Sequence, residues 1–417
     1  MSADDRKRNE RRVLAATCFA HGMTHLYMLV FPALVTPLRQ ELGLDLGEAL
    51  ELAFLGYLLY GLGSLPAGII ADRWSARWML TLCLALSGAG AVLAGLSHSP
   101  TTLVMALGVL GIGASIYHPT GMALISRAFH DRRGRALGLN GVFGNIGLAS
   151  APFVTGLLTS MLGWRWAYGA LGAMGLAGSL WVATMPIDDS VVEPDAAGSA
   201  RAGTADAGHL KRYFLVLCVA MMLAGLAYRS ASLVMPSYFE LKASFLVPTA
   251  TAIVEAFGGT GAKTAAATAL TSLVYATGIV GQMLGGRVAD SRDLRLSYLC
   301  FHLLAIPPVI AMVWLAEVPL LLAAMLYILF GLGMQPIENS LIAKLTPPAW
   351  RSTAYGLKFV LAFGVGSFAV GIVGHIERRA GLPTVFGSIG ALELALVLVA
   401  LSLWLVSRRR LPRISNS

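Results

Sequence analysis

Twelve long apolar runs dominate this sequence of 417 residues and limit what it can fold into. A run of about 20 apolar residues is long enough to cross a lipid bilayer as a helix. Hydrophobic residues make up 56% of the chain and charged residues 13%, against roughly 25% charged residues in a soluble domain. The runs are too long and too continuous for the alternating strands of a membrane β-barrel. The sequence therefore predicts an all-α membrane protein with twelve transmembrane helices.

The predicted spans fall into two sets of six, separated by a polar segment rich in Ala, Gly, Ser and Thr. Such a composition cannot build a core, so this segment is predicted to be a flexible linker. The predicted organisation is a six-helix bundle over residues 1–185, a cytoplasmic linker over 186–212 and a second six-helix bundle over 213–417. The spans, numbered in chain order, cover about residues 13–38, 50–71, 78–97, 101–126, 136–160, 165–185, 213–238, 264–288, 296–316, 319–344, 352–377 and 383–406.

The distribution of basic residues predicts the orientation of the chain. Of the 31 Lys and Arg residues, 23 lie in the termini and in the loops that share a side with them, and six lie in the loops on the other side. Because basic residues concentrate in cytoplasmic loops, both termini are predicted to be cytoplasmic, in a bacterial inner membrane. The net charge of +9 reflects this clustering and not a nucleic-acid surface. The four Cys lie in apolar runs without a CxxC pair, so neither a disulfide nor a metal site is predicted.

Two short patterns occur once in each half of the chain. In the first pattern, a Gly near the end of span 2 is followed four positions later by Asp and five positions after that by Arg. The same pattern occurs at the end of span 8. A polar residue before Pro in span 4 recurs in span 10. The repeats are offset by 218 and 217 residues, which indicates duplicated six-helix halves. The residues are Gly68, Asp72 and Arg77 with Gly286, Asp290 and Arg295, and His118-Pro119 with Gln335-Pro336.

The loops after spans 2 and 8 have the chemistry of a gate. Gly68 and Gly286 would let two helices approach closely at the cytoplasmic end. Asp72 and Asp290 could accept hydrogen bonds from a helix N-terminus or pair with a nearby Arg such as Arg73. Such a latch would hold one conformation closed on the inside and release it in another.

The pattern from Gly68 to Arg77 resembles the signature between spans 2 and 3 of the major facilitator superfamily, and the pattern at Gly286 resembles its second copy. The family's usual Gly after the basic residue is missing, because Ser75 and Ala76 occupy that stretch. The resemblance covers nearly the whole chain in span number, linker and repeat. It implies two six-helix bundles around a cavity lined by spans 1, 4, 7 and 10, with spans 2, 5, 8 and 11 beside them.

Span 5 is similar to a motif of the drug/proton antiporters of this family. Gly138, Gly147, Pro152 and Gly156 keep the spacing of that motif, whereas two of its other glycines are replaced by Ala and Thr. Small residues and a Pro would give a close, bendable helix contact. Ordinary Gly-rich packing is the alternative interpretation.

Within the superfamily, the chain resembles exporters of the fosmidomycin-resistance type, through residues 111–119 of span 4 and 144–147 of span 5. His21 and His25 occupy positions in span 1 where that group tends to have His and Asp, so His25 is a departure. Leu107 stands where many proton-coupled members place an Arg, so proton coupling would have to use other groups.

Polar side chains inside a bilayer are costly unless they face a cavity or a partner, so each one is a candidate site residue. They fall mainly on the spans that the resemblance places around the cavity. A cationic cavity of this kind would suit an anionic or zwitterionic substrate. The predicted substrate- and ion-binding residues are His21, His25, His118, Asn145, Arg229, Gln335, Glu338, Asn339 and Lys358.

Some of these residues carry a more specific expectation. His25 and Arg229 each lie seven residues before a Pro, in spans 1 and 7, and are expected to face each other near the midplane. Glu338 and Lys358 lie at similar depth in spans 10 and 11, where they could form a structural ion pair or part of the transport site. His302 in span 9 is interpreted as a hydrogen-bonded packing residue, and Glu393 in span 12 has no interpretation beyond a shallow partner or protonation.

These features predict a monomeric secondary transporter that works by alternating access, with a small-molecule substrate, a coupling proton and the lipid bilayer as partners. Proton-coupled export of a small anionic or zwitterionic compound or drug is favoured because of the span 5 pattern. A proton-coupled uptake symporter for a small organic anion is one alternative, and a non-transporting membrane sensor or enzyme is another. No phosphate-binding GxxxxGK[ST] loop or catalytic set occurs, so neither ATP drive, enzyme activity nor a cofactor is predicted.

Overall fold

The computed structural model describes residues 3–71, 73–129, 133–189, 207–256, 262–346 and 351–408, and these ranges are helical almost throughout. Spans 2, 4, 10 and 11 are each built from more than one helical piece. The helices are α1 (Ala3–Leu42), α2 (Leu46–Glu51), α3 (Phe54–Leu62), α4 (Ser64–Ala71), α5 (Ala76–Gly95), α6 (Pro100–Ser115), α7 (Tyr117–Ala128), α8 (Arg133–Leu162), α9 (Trp164–Thr184), α10 (Ala207–Lys242), α11 (Leu246–Ala256), α12 (Ala262–Ser291), α13 (Leu294–Ala311), α14 (Glu317–Gly333), α15 (Gln335–Leu345), α16 (Arg351–Phe359) and α17 (Ala369–Ser407).

The described helices account for twelve crossings of a bilayer. Ten helical stretches are long and apolar enough to cross. The last of them, Thr353–Ser407, has 55 residues and a non-helical Gly381 with φ of 77° near its middle, so it makes two crossings. α9 has 21 residues, packs along α5 and makes the twelfth. The prediction of an all-α protein with twelve transmembrane helices is confirmed.

Contacts between helix ends define the two sides of the bundle. Asn9, near the start of α1, exchanges hydrogen bonds of 2.9 Å with the backbone of Asp188, just after α9. Arg295, at the start of α13, donates to Ser407 at the end of α17 over 3.1 Å. Because each crossing reverses the chain, both pairs lie on the side that carries the chain ends. We call this the terminal side and the other end the opposite side.

Spans 4 and 10 are interrupted at equivalent positions. α6 gives way to α7 at Ile116, and α14 gives way to α15 at Met334. These positions are 218 residues apart, which is the offset of the sequence repeat. Pro119 and Pro336 follow the two interruptions, and a Pro has no N–H to hydrogen-bond to the preceding turn. The repeated Pro therefore explains why both spans break at the depth of the candidate site.

Span 11 loses regular α-helical geometry where it crosses span 2. A π-helical turn, Val360–Gly364, and a 3-10 turn, Val365–Phe368, separate α16 from α17. At this point the backbone of Gly61 in α3 lies directly against that of Gly364. A side chain at position 61 would overlap the backbone of span 11, so this close approach between the halves needs a glycine.

The structure differs from the sequence prediction at three places. α1 begins at Ala3 and not near residue 13, because Asp4 and Asp5 in its first turn favour a helix start outside the apolar stretch. The connection at 240–263 contains the short helix α11. The greater part of the predicted linker at 186–212 lies outside the described residues, and α10 begins within it.

Candidate functional site

A cavity of about 600 Å³ lies between the two halves of the protein. Most of its wall comes from the segments of spans 1, 4, 5, 7, 8, 10 and 11 that lie nearer the terminal side. His302 and Glu393, from spans 9 and 12, also reach the wall. None of the described residues of span 2 lines this cavity; Tyr57 and Tyr60 of that span line a separate apolar pocket of about 30 Å³.

Three histidines form one wall of the cavity. His21 and His25 lie one turn apart on α1, and His118 lies in the first turn of α7. The Nε2 atoms of His21 and His25 are 3.1 Å apart. One ring nitrogen from each of the three lies within 4.8 Å of the others. The sequence identified all three residues, but only the fold brings His118 against the α1 pair.

A second layer of contacts holds His21 in place. Its Nδ1 lies 2.8 Å from the backbone oxygen of Asn140, and the Tyr117 hydroxyl donates to Oδ1 of the same Asn at 2.9 Å. The Tyr117 ring stacks on the His21 ring with their centroids 4.6 Å apart. A Cβ atom at Gly144 would come within 2.6 Å of the His21 ring, so α8 can approach α1 here because position 144 has no side chain.

A charged network lies on the other half of the protein. Nζ of Lys358 is 2.9 Å from Oε1 of Glu338 and donates to Oδ1 of Asn339 at 2.7 Å. Glu338 also accepts a hydrogen bond of 3.0 Å from the Tyr298 hydroxyl. The side chains of Lys358 and Glu338 are 11% and 3% exposed, yet both residues line the cavity. The two predicted residues therefore meet in a buried pair that a ligand in the cavity can reach.

A second buried pair was missed by the sequence analysis. Nδ1 of His302 lies 3.0 Å from Oε2 of Glu393, and the Tyr327 hydroxyl donates to Oε1 of Glu393 at 3.4 Å. His302 is therefore a hydrogen-bonded residue whose partner is a carboxylate, and both residues line the cavity. The available signal was the cost of Glu393 in an apolar span, which requires a partner within the bilayer.

Side-chain amides connect the two halves across the cavity. Nδ2 of Asn145 donates to Oε1 of Gln282 at 2.9 Å, and Nε2 of Gln282 donates back to Oδ1 of Asn145 at 3.1 Å. The same Gln282 nitrogen lies 3.2 Å from Oε1 of Gln335. Asn145 and Gln335 were predicted from the sequence, whereas Gln282 was not. The chain of amides supplies both donors and acceptors to anything bound beside it.

The structure does not bring Arg229 against His25. The Arg229 guanidinium lies over the Tyr57 ring, 3.6 Å from its centroid, and 6.0 Å from that of Phe363. Arg229 is 1% exposed, and none of its three side-chain nitrogens has a hydrogen-bond partner among the described residues. It lies behind the cavity wall because its helix turns it toward span 2, while the preceding Tyr228 faces the cavity.

The structure describes all of the predicted gate residues except one. Asp72 lies outside the described residues, and Arg73 is exposed. Arg77 donates to the backbone oxygen of Met185 at 3.0 Å, and its own amide N–H donates to Asp189 at 3.1 Å. The loop after span 2 is therefore tied to the end of span 6.

The second copy of the gate is arranged differently. Arg295 donates to both carboxylate oxygens of Asp293, at 3.2 and 2.7 Å, as well as to Ser407. Asp290 is exposed. A Cβ atom at Gly286 would meet no described atom within 4 Å, whereas one at Gly68 would lie 3.3 Å from a neighbouring side chain. The close approach predicted at Gly286 is therefore not seen among the described residues.

The span 5 glycines divide into two groups. Gly147 packs directly on the backbone of span 1, and Gly156 packs on Thr268 of span 8. After Pro152, the next amide N–H donates to a Ser of span 8 at 2.8 Å. Gly138 instead lines the cavity, and a Cβ atom there would meet no described atom within 4 Å. The motif therefore combines packing positions with one position that leaves space in the cavity.

The opposite side of the bundle is closed by contacts between the halves. The Thr36 hydroxyl of span 1 donates to Glu240 of span 7 at 2.7 Å. Glu51, at the end of α2, forms a 2.8 Å ion pair with Arg378 beyond span 11. The cavity thus lies toward the terminal side, with interhalf polar contacts behind it.

The profile of the Major Facilitator Superfamily matches residues 14–371. The chain belongs to this superfamily. Its members are multi-pass membrane transporters and not enzymes. This assignment confirms the resemblance to the superfamily drawn from the loops after spans 2 and 8.

Similar proteins include transporters of different kinds. A probable L-galactonate transporter from Escherichia coli (strain K12) is 31% identical over 33% of this chain and 31% of its own length. A puromycin resistance protein from Streptomyces alboniger is 32% identical over 34% of this chain and 27% of its own length. The chain therefore matches about a third of the length of these relatives.

A solved structure shares the whole fold. The crystal structure of a bacterial homologue of the human lysosomal transporter Spinster, inward-facing and unoccupied, has a TM-score of 0.70 with 17% identity. The match covers 98% of this chain and 99% of that one. At this level of identity, the similarity establishes the fold alone.

Proposed function

We propose that this superfamily member exports a small zwitterionic organic compound in exchange for protons, by alternating access. The observation that carries the proposal is the cavity of about 600 Å³, whose wall combines a buried Lys–Glu ion pair and a buried His–Glu hydrogen bond with hydrogen-bonding amides. Ligand sites for small organic molecules are typically about 300–1,000 Å³. A cavity toward one side, with contacts between the halves on the other, is the arrangement that alternating access requires.

The terminal side is proposed to be the cytoplasmic side of a bacterial inner membrane. The excess of Lys and Arg on this side supports that orientation. The gate residues, Asp72 above all, are proposed to stabilise the closed state of this side. In the proposed cycle, the substrate enters the cavity from the cytoplasm and leaves after the opposite side has opened.

Two buried carboxylates are proposed to carry the coupling proton. Glu338 faces Lys358 and Tyr298, while Glu393 faces His302 and Tyr327. Adding a proton to either carboxylate neutralises it and releases its basic partner. Each pair therefore links a change of protonation to a change in the charge that the cavity presents.

The chemistry at Glu338 ties the direction of coupling to the charge of the substrate. A proton and a cationic group compete for the same carboxylate, so each weakens the binding of the other, as exchange requires. A proton on Glu338 instead releases Lys358 to bind an anion, so a proton and a purely anionic substrate favour each other's binding, as symport requires. Export in exchange for protons is therefore expected for a zwitterion whose cationic group approaches Glu338.

The second candidate is proton-coupled uptake of a small organic anion. Lys358 favours it, because its ammonium is available once Glu338 is neutral. The similarity to a probable L-galactonate transporter supports an anionic substrate, whereas the similarity to a puromycin resistance protein supports a drug as the substrate. The pH dependence of substrate affinity separates the two candidates: acidification weakens binding in an exchanger and strengthens it in a symporter.

Arg229 is proposed to bind the anionic part of the substrate during the cycle. It is a buried guanidinium for which no described residue supplies a carboxylate or a hydrogen-bond acceptor. Its neighbours Tyr228 and Phe363 line the cavity, so a small movement would expose it to the substrate. The histidines, amides and Lys358 are proposed to line the rest of the site.

The test uses the purified full-length protein in liposomes with an imposed pH gradient. The probes are labelled fosmidomycin and L-galactonate, which are anions, and labelled 5-aminolevulinic acid, which is a zwitterion. Export by exchange predicts uphill accumulation in liposomes with an acidic lumen, whereas symport predicts accumulation only with an acidic exterior. Protein-free liposomes and Asp72→Asn liposomes are the controls. If folded protein moved no zwitterionic or anionic compound under either gradient, the proposal would be wrong.

A further inference from the structure

We propose that His21, His25 and His118 form a binding site for a late first-row divalent transition-metal cation, such as Zn²⁺, with one coordination position open to the cavity. The inference does not depend on the organic substrate or on proton coupling. It rests on the positions of the ring nitrogens, on their protonation and on the lack of partners for two of them.

The hydrogen bond to Asn140 determines which nitrogen of His21 is available. A backbone carbonyl oxygen can only accept, so Nδ1 of His21 carries the proton in its 2.8 Å contact with that oxygen. In the neutral ring, Nε2 of His21 therefore has a free lone pair, and this atom lies 3.1 Å from Nε2 of His25. Metal-binding histidines are commonly oriented by a hydrogen bond of the other ring nitrogen to a carbonyl group.

The three histidines do not provide hydrogen-bond partners for all of their own ring nitrogens. Nδ1 of His25 and Nε2 of His118 are buried and have no partner among the described residues. If His25 donates from Nε2 to His21, its Nδ1 keeps an unused lone pair. If it does not donate, two lone pairs face each other at 3.1 Å. A cation bound to both Nε2 atoms would remove the facing lone pairs, and Nδ1 of His25 would then carry the proton of that ring.

The spacing is close to that of a coordination sphere. With Zn–N bonds of about 2.0–2.1 Å, nitrogens in a tetrahedral site lie about 3.3 Å apart. The His21–His25 pair already has this separation, and the third nitrogen lies within 4.8 Å of both. His118 would have to move by about 1 Å. Its ring stacks on Phe359, with the centroids 4.4 Å apart, and its other neighbours are aromatic rings as well.

The donor set selects a class of ion. All three donors are imidazole nitrogens, and in the described part of the chain no carboxylate belongs to the cluster. Imidazole suits zinc, copper and nickel, whereas magnesium and calcium prefer oxygen ligands. Three protein ligands and a free position are typical of exchangeable zinc sites, since structural sites use four.

The experiment measures metal binding by the purified full-length protein in detergent. Co²⁺ is titrated while the visible absorption of the bound ion is recorded, and Zn²⁺ is then added as a competitor. We expect one equivalent of Co²⁺ in a four-coordinate site, displaced by Zn²⁺, which binds such sites more tightly. His25→Gln and His118→Gln should each abolish this signal. Tyr117→Phe leaves the ligands intact but removes the hydrogen bond to the Asn140 side chain, whose backbone oxygen orients His21, and should weaken binding less than the loss of a ligand does.

The exposed His375 supplies the matched control. His375→Gln should bind one equivalent like the unmodified protein, and size-exclusion chromatography should show that each variant is folded. Absence of the four-coordinate signal in folded, unmodified protein would overturn the proposal. An equal signal in the His25→Gln and His118→Gln variants would also overturn it, because the metal would then lie elsewhere. If ligand variants do not fold, the Tyr117→Phe and His375→Gln affinities decide: a loss confined to Tyr117→Phe supports the site, and equal affinities contradict it.

Discussion

The Glu338→Gln variant tests whether the pair with Lys358 serves transport or only stability. The substitution keeps the size of the side chain and lets the Tyr298 hydroxyl still donate to it. It removes the negative charge that lies 2.9 Å from the Lys358 ammonium. We expect a folded protein that binds substrate but no longer couples its movement to protons.

The size of the structural effect follows from the geometry. Two unit charges 2.9 Å apart attract each other by roughly 6 kcal/mol at an effective dielectric constant of about 20. Desolvation offsets much of this attraction, and removing one partner of a buried pair costs about 3–5 kcal/mol because the other charge is left uncompensated. Lys358 keeps its 2.7 Å hydrogen bond to Asn339 and its access to the cavity. The loss should therefore be at the lower end, about 3 kcal/mol, and the protein should remain abundant.

The assay compares two fluxes in the same liposomes. Proton-driven accumulation should fall at least tenfold, equivalent to about 1.4 kcal/mol, while substrate-for-substrate exchange should persist. Glu10→Gln, which removes one partner of the i,i+4 ion pair with Arg6 outside the apolar part of α1, is the matched control. The reasoning is refuted if Glu338→Gln lowers protein abundance and the Glu338→Met/Lys358→Met double variant restores both abundance and proton-driven transport. In that case the pair is structural.

Four further predictions address other parts of the molecule. Arg229→Gln should nearly abolish transport at unchanged protein level and Arg229→Lys should weaken it, because Lys lacks the planar fork of the guanidinium; normal flux with lower abundance would make Arg229 structural. Asp72→Asn should insert normally into the membrane but transport at least about tenfold more slowly, as measured by initial flux, and flux like that of the unmodified protein would exclude the latch. Glu393→Gln should shift the pH dependence of flux because His302 loses its anionic partner at 3.0 Å; an unchanged pH profile would remove this pair from coupling. Reporter fusions after Ser417 and within 186–212 should both report the cytoplasm, and an external signal at either site would contradict the proposed orientation.

The sequence by itself determined the class of the protein. The apolar runs predicted the number of crossings, because a span in lipid must satisfy its own backbone hydrogen bonds and therefore forms a helix whatever its neighbours are. The repeat also placed a Pro at the same point of spans 4 and 10, and the structure shows that both spans break there, since Pro119 and Pro336 act on their own helices. These properties depend on local chemistry, and local chemistry can be read from a single chain.

The sequence also identified most polar residues of the cavity, but not how they are grouped. An isolated charge or imidazole in an apolar span is costly and therefore conspicuous. Which of them meet depends on helix rotation and crossing, which arise from packing between distant segments. His118 joins the α1 histidines, and Glu393 finds His302, only after spans far apart in the chain have packed together.

Arg229 shows most directly what tertiary structure decided. Its position relative to Pro236 suggested that it faces His25, but the approach of Gly61 to Gly364 brings span 2 close to spans 7 and 11. The Tyr57 ring then lies beside the guanidinium and takes it out of the cavity wall. The sequence determined that a cation lies in the middle of span 7. What that cation touches depends on the packing of Gly61 against Gly364, on two other helices. Their backbones can approach so closely because neither residue has a side chain.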